Sequence, residues 1–223
     1  MAGGEGSRAG GELPKQFQRL LGIPVLWWSV MAFHRENPDT EITIVMHPGF
    51  FDEYDIMLSE LPADLRDIRV RLVAGGRSRG HSVSNGLMGL PDDKDALVAV
   101  HDAARPLVTE PLIREGWNRA SESGAAVPVV KVTDSLRELE GEGSRQVDRS
   151  RFRAVQTPQI FRCDLLKRAY RLEDRPEFTD DASRVEALGE KITLIEGDYA
   201  NIKITNPIDF KIAEVLLQKR ETS

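Results

Sequence analysis

The sequence predicts an α/β domain built in layers around a mostly parallel sheet, with one β-hairpin arm leaving the body. Short apolar runs rich in β-branched residues recur at 42–46, 70–73, 97–100, 125–130 and 192–195. Segments with helical periodicity separate them at 24–35, 51–61, 82–90 and 110–121. The apolar runs are nearly continuous, as strands buried on both faces require. Alternating strands and helices imply right-handed crossovers, with ligands bound beyond the carboxyl ends of the strands.

The first stretch is rich in glycine: Gly3, Gly4, Gly6, Gly10 and Gly11 surround Ser7 and Arg8, and Lys15 follows Pro14. Such a backbone can approach a ligand closely and turn several N–H groups toward it, and the two cations suit a chain of phosphates. A glycine-rich tail with no ligand is the alternative. The stretch is not a Walker A loop, because Gln16 follows Lys15, and residues 4–9 match a dinucleotide G-x-G-x-x-A pattern only weakly. A strand ordinarily feeds such a loop, yet only Met1 and Ala2 precede Gly3. The expectation is that a few upstream residues are lacking.

Each later strand end carries polar residues. Gly75-Gly76-Arg77-Ser78-Arg79-Gly80-His81-Ser82 follows the run at 70–73. Its glycines admit a flat ligand edge, with Ser82 near a helix start. His101-Asp102-Ala103-Ala104-Arg105-Pro106 follows the run at 97–100. There Asp102 can take a hydroxyl or help a metal, and Arg105 can take an anion, unless the two simply pair with each other.

The alternation breaks at 133–153, which reads as a hairpin arm turning at Gly141-Glu142-Gly143. Leu136, Val147 and Phe152 on that arm need cover, and a second subunit is the simplest cover; a mobile surface hairpin is the alternative. Arg149 reads as the charged tip, and Gln156-Thr157-Pro158-Gln159 as the return, with Thr157 offering a hydroxyl. In Asn201-Ile202-Lys203-Ile204-Thr205, strand alternation would turn Lys203 away from its two isoleucines, toward solvent or an anionic site. Asn206-Pro207 opens a closing helix with Ile208, Ile212, Val215 and Leu216 as its apolar face.

At 223 residues the chain suits one domain, 1–223, with the arm at 133–153 inside it. Its 30 basic and 36 acidic residues give a net charge of −6, so no basic field exists to hold nucleic acid. No apolar run is long enough to span a membrane. Cys163 is the only cysteine, which excludes an intrachain disulfide and points to the reducing cytoplasm. The four histidines are scattered and suggest no zinc site.

Seven motifs occur in order: Ala2-Gly3-Gly4-Glu5-Gly6-Ser7-Arg8, Pro14-Lys15-Gln16, Gly75-Gly76 with Arg79 and Ser82-Val83, His101 to Pro106, Val147-Asp148-Arg149, Gln156 to Gln159, and Asn201 to Thr205. Together they resemble the 2-C-methyl-D-erythritol 4-phosphate cytidylyltransferase family of isoprenoid precursor synthesis, over essentially the whole chain. The resemblance implies a Rossmann-like three-layer nucleotidyltransferase domain that joins CTP to a sugar-alcohol phosphate. It implies Arg8, Lys15 and Lys203 as catalytic residues. Ala2, Gly3, Gly4, Gly6, Gly75, Gly76, Arg79, Ser82 and Asp102 would bind the nucleotide. Asp102, Arg105, Ser135, Thr157 and Lys203 would bind the sugar phosphate, with Arg149 entering from a partner subunit. Magnesium carried mainly by the CTP phosphates and a homodimer through the arm are also implied. The chain departs from the family in lacking a first strand, in Ala9 where methionine is usual, and in Ser135 where threonine is common. A ribitol-5-phosphate cytidylyltransferase and a non-catalytic nucleotide-binding module are the competing readings.

Overall fold

The computed structural model describes residues 1–2, 14–91, 93 and 95–221. A small ribbon of β1 (Arg19–Leu20) and β2 (Ile23–Pro24) leads into α1 (Val25–Glu36). Residues 25–33 of α1 are all buried, so this helix belongs to the interior. Then follow β3 (Ile42–Met46), α2 (Phe51–Ser59), α3 (Ala63–Arg66), β4 (Val70–Ala74), α4 (Arg79–Leu87) and β5 (Leu97–Val100). Next come α5 (Glu110–Ser123), β6 (Ala125–Lys131), and the arm strands β7 (Arg137–Glu140) and β8 (Gly143–Gln146). The chain returns through β9 (Arg153–Val155) and β10 (Gln159–Arg162), then α6 (Cys163–Ala169), α7 (Asp181–Glu186), β11 (Thr193–Glu196) and α8 (Pro207–Glu221).

All five expected strands form, and the arm is the expected hairpin, with Glu140 opposite Gly143 at its turn. Helix boundaries follow local chemistry. Pro111 lies in the first turn of α5, and Gly124, at φ +85°, ends it in the left-handed conformation that glycine adopts without a Cβ penalty. The helix expected at 82–90 instead starts at Arg79, because the Ser78 side chain accepts from His81 N at 3.1 Å and caps it.

The larger sheet has the order β11-β6-β10-β5. β11 runs parallel to β6, while β10 runs antiparallel to both β6 and β5. β9 pairs antiparallel with the far end of β6, so β9 and β10 flank the break at Gln156-Thr157-Pro158, which holds a cis Thr157–Pro158 peptide. Alternation along these strands fills two layers. Ala126, Ile160 and Ile195 pack with Leu112, Ile113 and Ala120 of α5 on one face. Ala125, Val127 and Phe161 pack with Val83, Leu166 and Val185 of α4, α6 and α7 on the other. A third cluster joins α1, α2 and β3 to Ala213 and Leu217 of α8. On α8 the buried line is therefore Ala213 and Leu217, with Phe210 and Leu216 beside them. Ile208, Ile212 and Val215, expected as its inner face, are exposed instead. The line from Phe210 through Ala213 to Leu217 has the i, i+3, i+7 spacing that lies over the core.

β3 and β4 form a separate parallel ladder. Between β3 and β5 lies a cavity of about 690 Å³, lined on one side by Ile42, Thr43, Ile44 and Val45 and on the other by Leu97, Val98, Ala99 and Val100. Among the described residues no strand pairing crosses it. Met1 and Ala2 close one end: Met1 N donates to His101 O at 2.6 Å and Ala103 N to Met1 O at 3.0 Å. Ala2 N donates to Val45 O at 2.8 Å. This dipeptide bonds to both sides, so the gap there has the width of one strand.

Candidate active site

At the carboxyl ends of these strands a cavity of about 230 Å³ is lined by Ala2, Lys15, Arg79, Ser82, Asp102 and Lys203, all singled out from the sequence. Gln16 lines it too, a residue whose role sequence reasoning missed; its side-chain amide donates to Ala2 O at 2.8 Å and pins the dipeptide.

The glycine turn after β4 is packed tight. Gly75 N donates to Met46 O at 2.6 Å. Ser82 Oγ accepts from Gly76 N at 3.0 Å and donates to Ser78 O at 2.9 Å, so this hydroxyl holds the turn. A Cβ on Gly76 would stand 2.4 Å from the Cβ of His81. Gly76→Ala is therefore expected to cost about 1–3 kcal/mol of stability through forced displacement of the first turn of α4. A urea unfolding curve checks it, and an unchanged midpoint would refute the close-contact argument.

Asp102, at the end of β5, is the hub. Its Oδ2 is 2.8 Å from Lys203 Nζ and 3.8 Å from Arg105 Nε. Lys203 is thus the nearer partner of Asp102, and the local pair with Arg105 is present at longer range. Arg105 also bonds to backbone carbonyls, with its Nη1 donating to Asn201 O at 2.8 Å and its Nη2 to Val155 O at 3.4 Å. Arg105 thereby ties the end of β9 and the segment before Lys203 to the end of β5. Burial works against charge on Asp102, but the charge and hydrogen bond of Lys203, with Arg79 next, hold its carboxyl well below the usual range. The carboxylate stays ionised.

Beneath it, Asp102 N donates to Thr157 Oγ1 at 3.0 Å, and Thr157 Oγ1 lies 3.1 Å from His101 Nδ1. His101 Nε2 is 3.2 Å from Arg105 O, an acceptor, which assigns the ring proton to Nε2 and leaves Nδ1 to receive the threonine hydroxyl. Burial pushes His101 down to about 3, so this relay is neutral. Thr157 is buried and its hydroxyl is engaged in the relay.

Lys203 does not lie in a strand: residues 201–205 form no ladder, and Ile204 N makes a single bond to Ala104 O at 2.8 Å. Alternation still operates, with Ile204 fully buried and Lys203 turned to Asp102. Lys15 Nζ donates to Ile204 O at 2.7 Å, which brings the two lysines to one cavity. Arg79 pairs with the buried carboxylate of Asp181, Nη2 to Oδ2 at 2.6 Å. Burial opposes its charge, and Asp181 more than restores it, lifting Arg79 above the usual arginine value. Among the described residues, Lys15, Arg79 and Lys203 thus share the cavity with one carboxylate, that of Asp102.

Arg8, Gly3, Gly4 and Gly6 lie outside the described residues. Ser135 is exposed and Arg149 does not line the cavity of its own chain. Arg149 also stands at the foot of the arm and not at its tip: Asp148 caps a 3₁₀ turn at Arg149–Arg151, and Arg149 Nη1 donates to Thr133 O. Among the described residues no group of three His, Cys, Asp or Glu side chains is placed to hold a metal.

Cations beside a glycine turn suit a polyphosphate, and on a three-layer α/β body that combination fits a nucleotidyltransferase. Comparison with known proteins narrows the class. Residues 1–219 match the family described as IspD, 2-C-methyl-D-erythritol 4-phosphate cytidylyltransferase, and the chain belongs to that family. The enzyme of that name from Bacteroides fragilis is 42% identical over 217 residues, covering 97% of each chain. That from Geobacillus kaustophilus is 37% identical, covering 99% of this chain and 96% of its own. The crystal structure of the Thermus thermophilus enzyme superposes with a TM-score of 0.74 at 37% identity, covering 94% of this chain and 95% of that one.

Proposed function

We propose that this cavity is where the chain transfers the cytidylyl group of CTP to 2-C-methyl-D-erythritol 4-phosphate, giving 4-diphosphocytidyl-2-C-methyl-D-erythritol and pyrophosphate. A phosphate oxygen of the acceptor attacks the α-phosphorus of CTP, and the bond from that phosphorus to the bridging oxygen breaks as pyrophosphate leaves. No proton or covalent enzyme intermediate is required. The barrier lies in bringing two anions together and in the charge that grows around phosphorus, so positioned cations lower it.

Lys15, with Arg8, serves the triphosphate; Lys203 serves the acceptor phosphate and shares its ammonium with Asp102. Gly75, Gly76 and Arg79 form the nucleotide wall. The donor set fits a magnesium ion that arrives on CTP, because Asp102 supplies one carboxylate and such ions take one or two carboxylates plus substrate phosphates. When bound, magnesium neutralises phosphate charge. The observation that carries this reading is the meeting of Lys15 and Lys203 from opposite ends of the chain around Asp102.

Pyrophosphate release from CTP tests it. Release is expected with methylerythritol phosphate and not with ribitol 5-phosphate. The reverse preference would favour the ribitol enzyme, and CTP binding with release from neither would leave a binding module.

A homodimer through the arm is part of the same reading. Leu139 is 83% exposed, and Phe152 and Val155 are each 44% exposed, apolar side chains that a second copy would cover. Arg149→Ala is then expected to raise KM for the sugar phosphate about tenfold or more, with KM for CTP unchanged, as loss of one charge-assisted contact predicts. A change confined to CTP would refute entry of Arg149 from the partner. Among the described residues no helix is long and apolar enough to cross a membrane. The same reading places the chain in the cytoplasm, a compartment that keeps cysteine thiols such as that of Cys163 reduced.

A further inference from the structure

Behind the cavity wall stands a polar cluster that no step of the transfer uses. Arg79 is the first residue of α4, where the helix dipole disfavours a cation, and no acidic residue occupies that first turn. Compensation comes from across the fold. Asp181, the fully buried first residue of α7, accepts from Arg79 Nη1 at 3.1 Å and Nη2 at 2.6 Å. It also accepts from the Tyr170 hydroxyl at 2.5 Å.

The carboxylate is held in place from several sides. Asp180 caps α7 by accepting from Ser183 N at 2.9 Å. Gln159, buried on β10, donates to Asp180 Oδ2 at 2.9 Å and accepts from Ala182 N at 2.9 Å, tying the start of α7 to the sheet. The guanidinium of Arg184 lies 4.6 Å from the centre of the Tyr170 ring and 4.8 Å from that of Phe178, which clamps the tyrosine. A buried ion pair is a poor source of net stability, since desolvation offsets the Coulomb gain. A two-pronged contact does fix the plane of a guanidinium, however. Arg79 has five N–H donors, and the fork uses one on each terminal nitrogen. The side chain of Arg79 is 36% exposed, and it lines the cavity.

We propose that Asp181 is a positioning residue, which aims the remaining donors of Arg79 at the nucleotide. The proposal rests on the reading that CTP occupies this cavity. Asp181 touches no substrate; it acts through Arg79.

Steady-state kinetics with each substrate varied tests the idea on the full chain. The isosteric Asp181→Asn is expected to raise KM for CTP about tenfold, with kcat within about threefold of wild type and KM for the sugar phosphate unchanged. Tyr170→Phe, which loses one of the groups that orient the carboxylate, is expected to shift the same constant by about twofold to threefold. In an Arg79→Met background, Asp181→Asn should add nothing, because the group it aims is gone. A folded Asp181→Asn with wild-type KM for CTP overturns the proposal, as does an equal increase in the Arg79→Met background. If Asp181→Asn does not fold, Tyr170→Phe decides, and an unchanged KM for CTP overturns it. If Arg79→Met itself leaves KM for CTP unchanged, the placement of CTP against Arg79 fails, and the proposal falls with it.

Discussion

Lys203→Ala is expected to lower kcat at least about a hundredfold, the effect of deleting one electrostatic partner of a developing charge. The ammonium gives one of its three N–H donors to Asp102 at 2.8 Å and keeps two for an incoming phosphate. Its removal has a second consequence, because the Asp102 carboxylate then faces the anionic acceptor without its counter-charge. KM for the sugar phosphate should rise alongside the loss in kcat. The variant should also be more sensitive to acid. A carboxyl held below its ordinary value stabilises the fold above its unfolded pKa, near 4, and that contribution fades as pH falls through the folded value. Without Lys203 the folded value of Asp102 rises, so acid unfolding followed by far-UV circular dichroism should begin at a higher pH. Wild-type kcat in this variant would remove Lys203 from the reaction.

Lys15→Ala is expected to reduce kcat by a comparable factor, about a hundredfold or more, but with a different signature. Its ammonium bonds Ile204 O at 2.7 Å and stands on the side assigned to the triphosphate. KM for CTP should therefore rise while KM for the sugar phosphate stays near wild type. The far-UV spectrum should be retained. If both lysine variants shifted the same KM, the division of the cavity into a nucleotide side and an acceptor side would be wrong.

How far these residues can be read from sequence depends on the kind of signal. Strands such as Ile42–Met46 and Ala125–Lys131 are legible because burial on both faces demands an unbroken apolar run. β10 is not. It begins at Gln159, directly after Pro158, and ends at Arg162, which reads as loop chemistry, while its pairing partners supply the strand. α6 and α7 are short, and propensity over six or seven residues decides little. In α7 the one local signal is Asp180 three residues before Ser183, a helix-start pattern too short to stand out from the surrounding polar residues.

At the site, Asp102 is legible because it follows an apolar run in a polar break, Lys15 because it follows a glycine-rich stretch, and Lys203 because it is a lone cation between two isoleucines. Their partners are less so. Proximity in sequence offers Arg105 as the partner of Asp102, whereas the fold adds Lys203 at closer range and turns the terminal nitrogens of Arg105 to backbone carbonyls. Asp181 escapes sequence reasoning because its partner, Arg79, is 102 residues away, and charge patterning along one helix says nothing about such a pair.

The gap between β3 and β5 bears on how ligands affect the molecule. Gly75 to Ser82 ride on the β3–β4 ladder, whereas Asp102 and Arg105 ride on β5. The two walls of the cavity thus belong to plates whose main chains, among the described residues, are bridged at this gap by Met1 and Ala2. A nucleotide that touches both walls acts as a rivet across the plates. Its binding energy then adds directly to the resistance of the whole assembly to being pried apart.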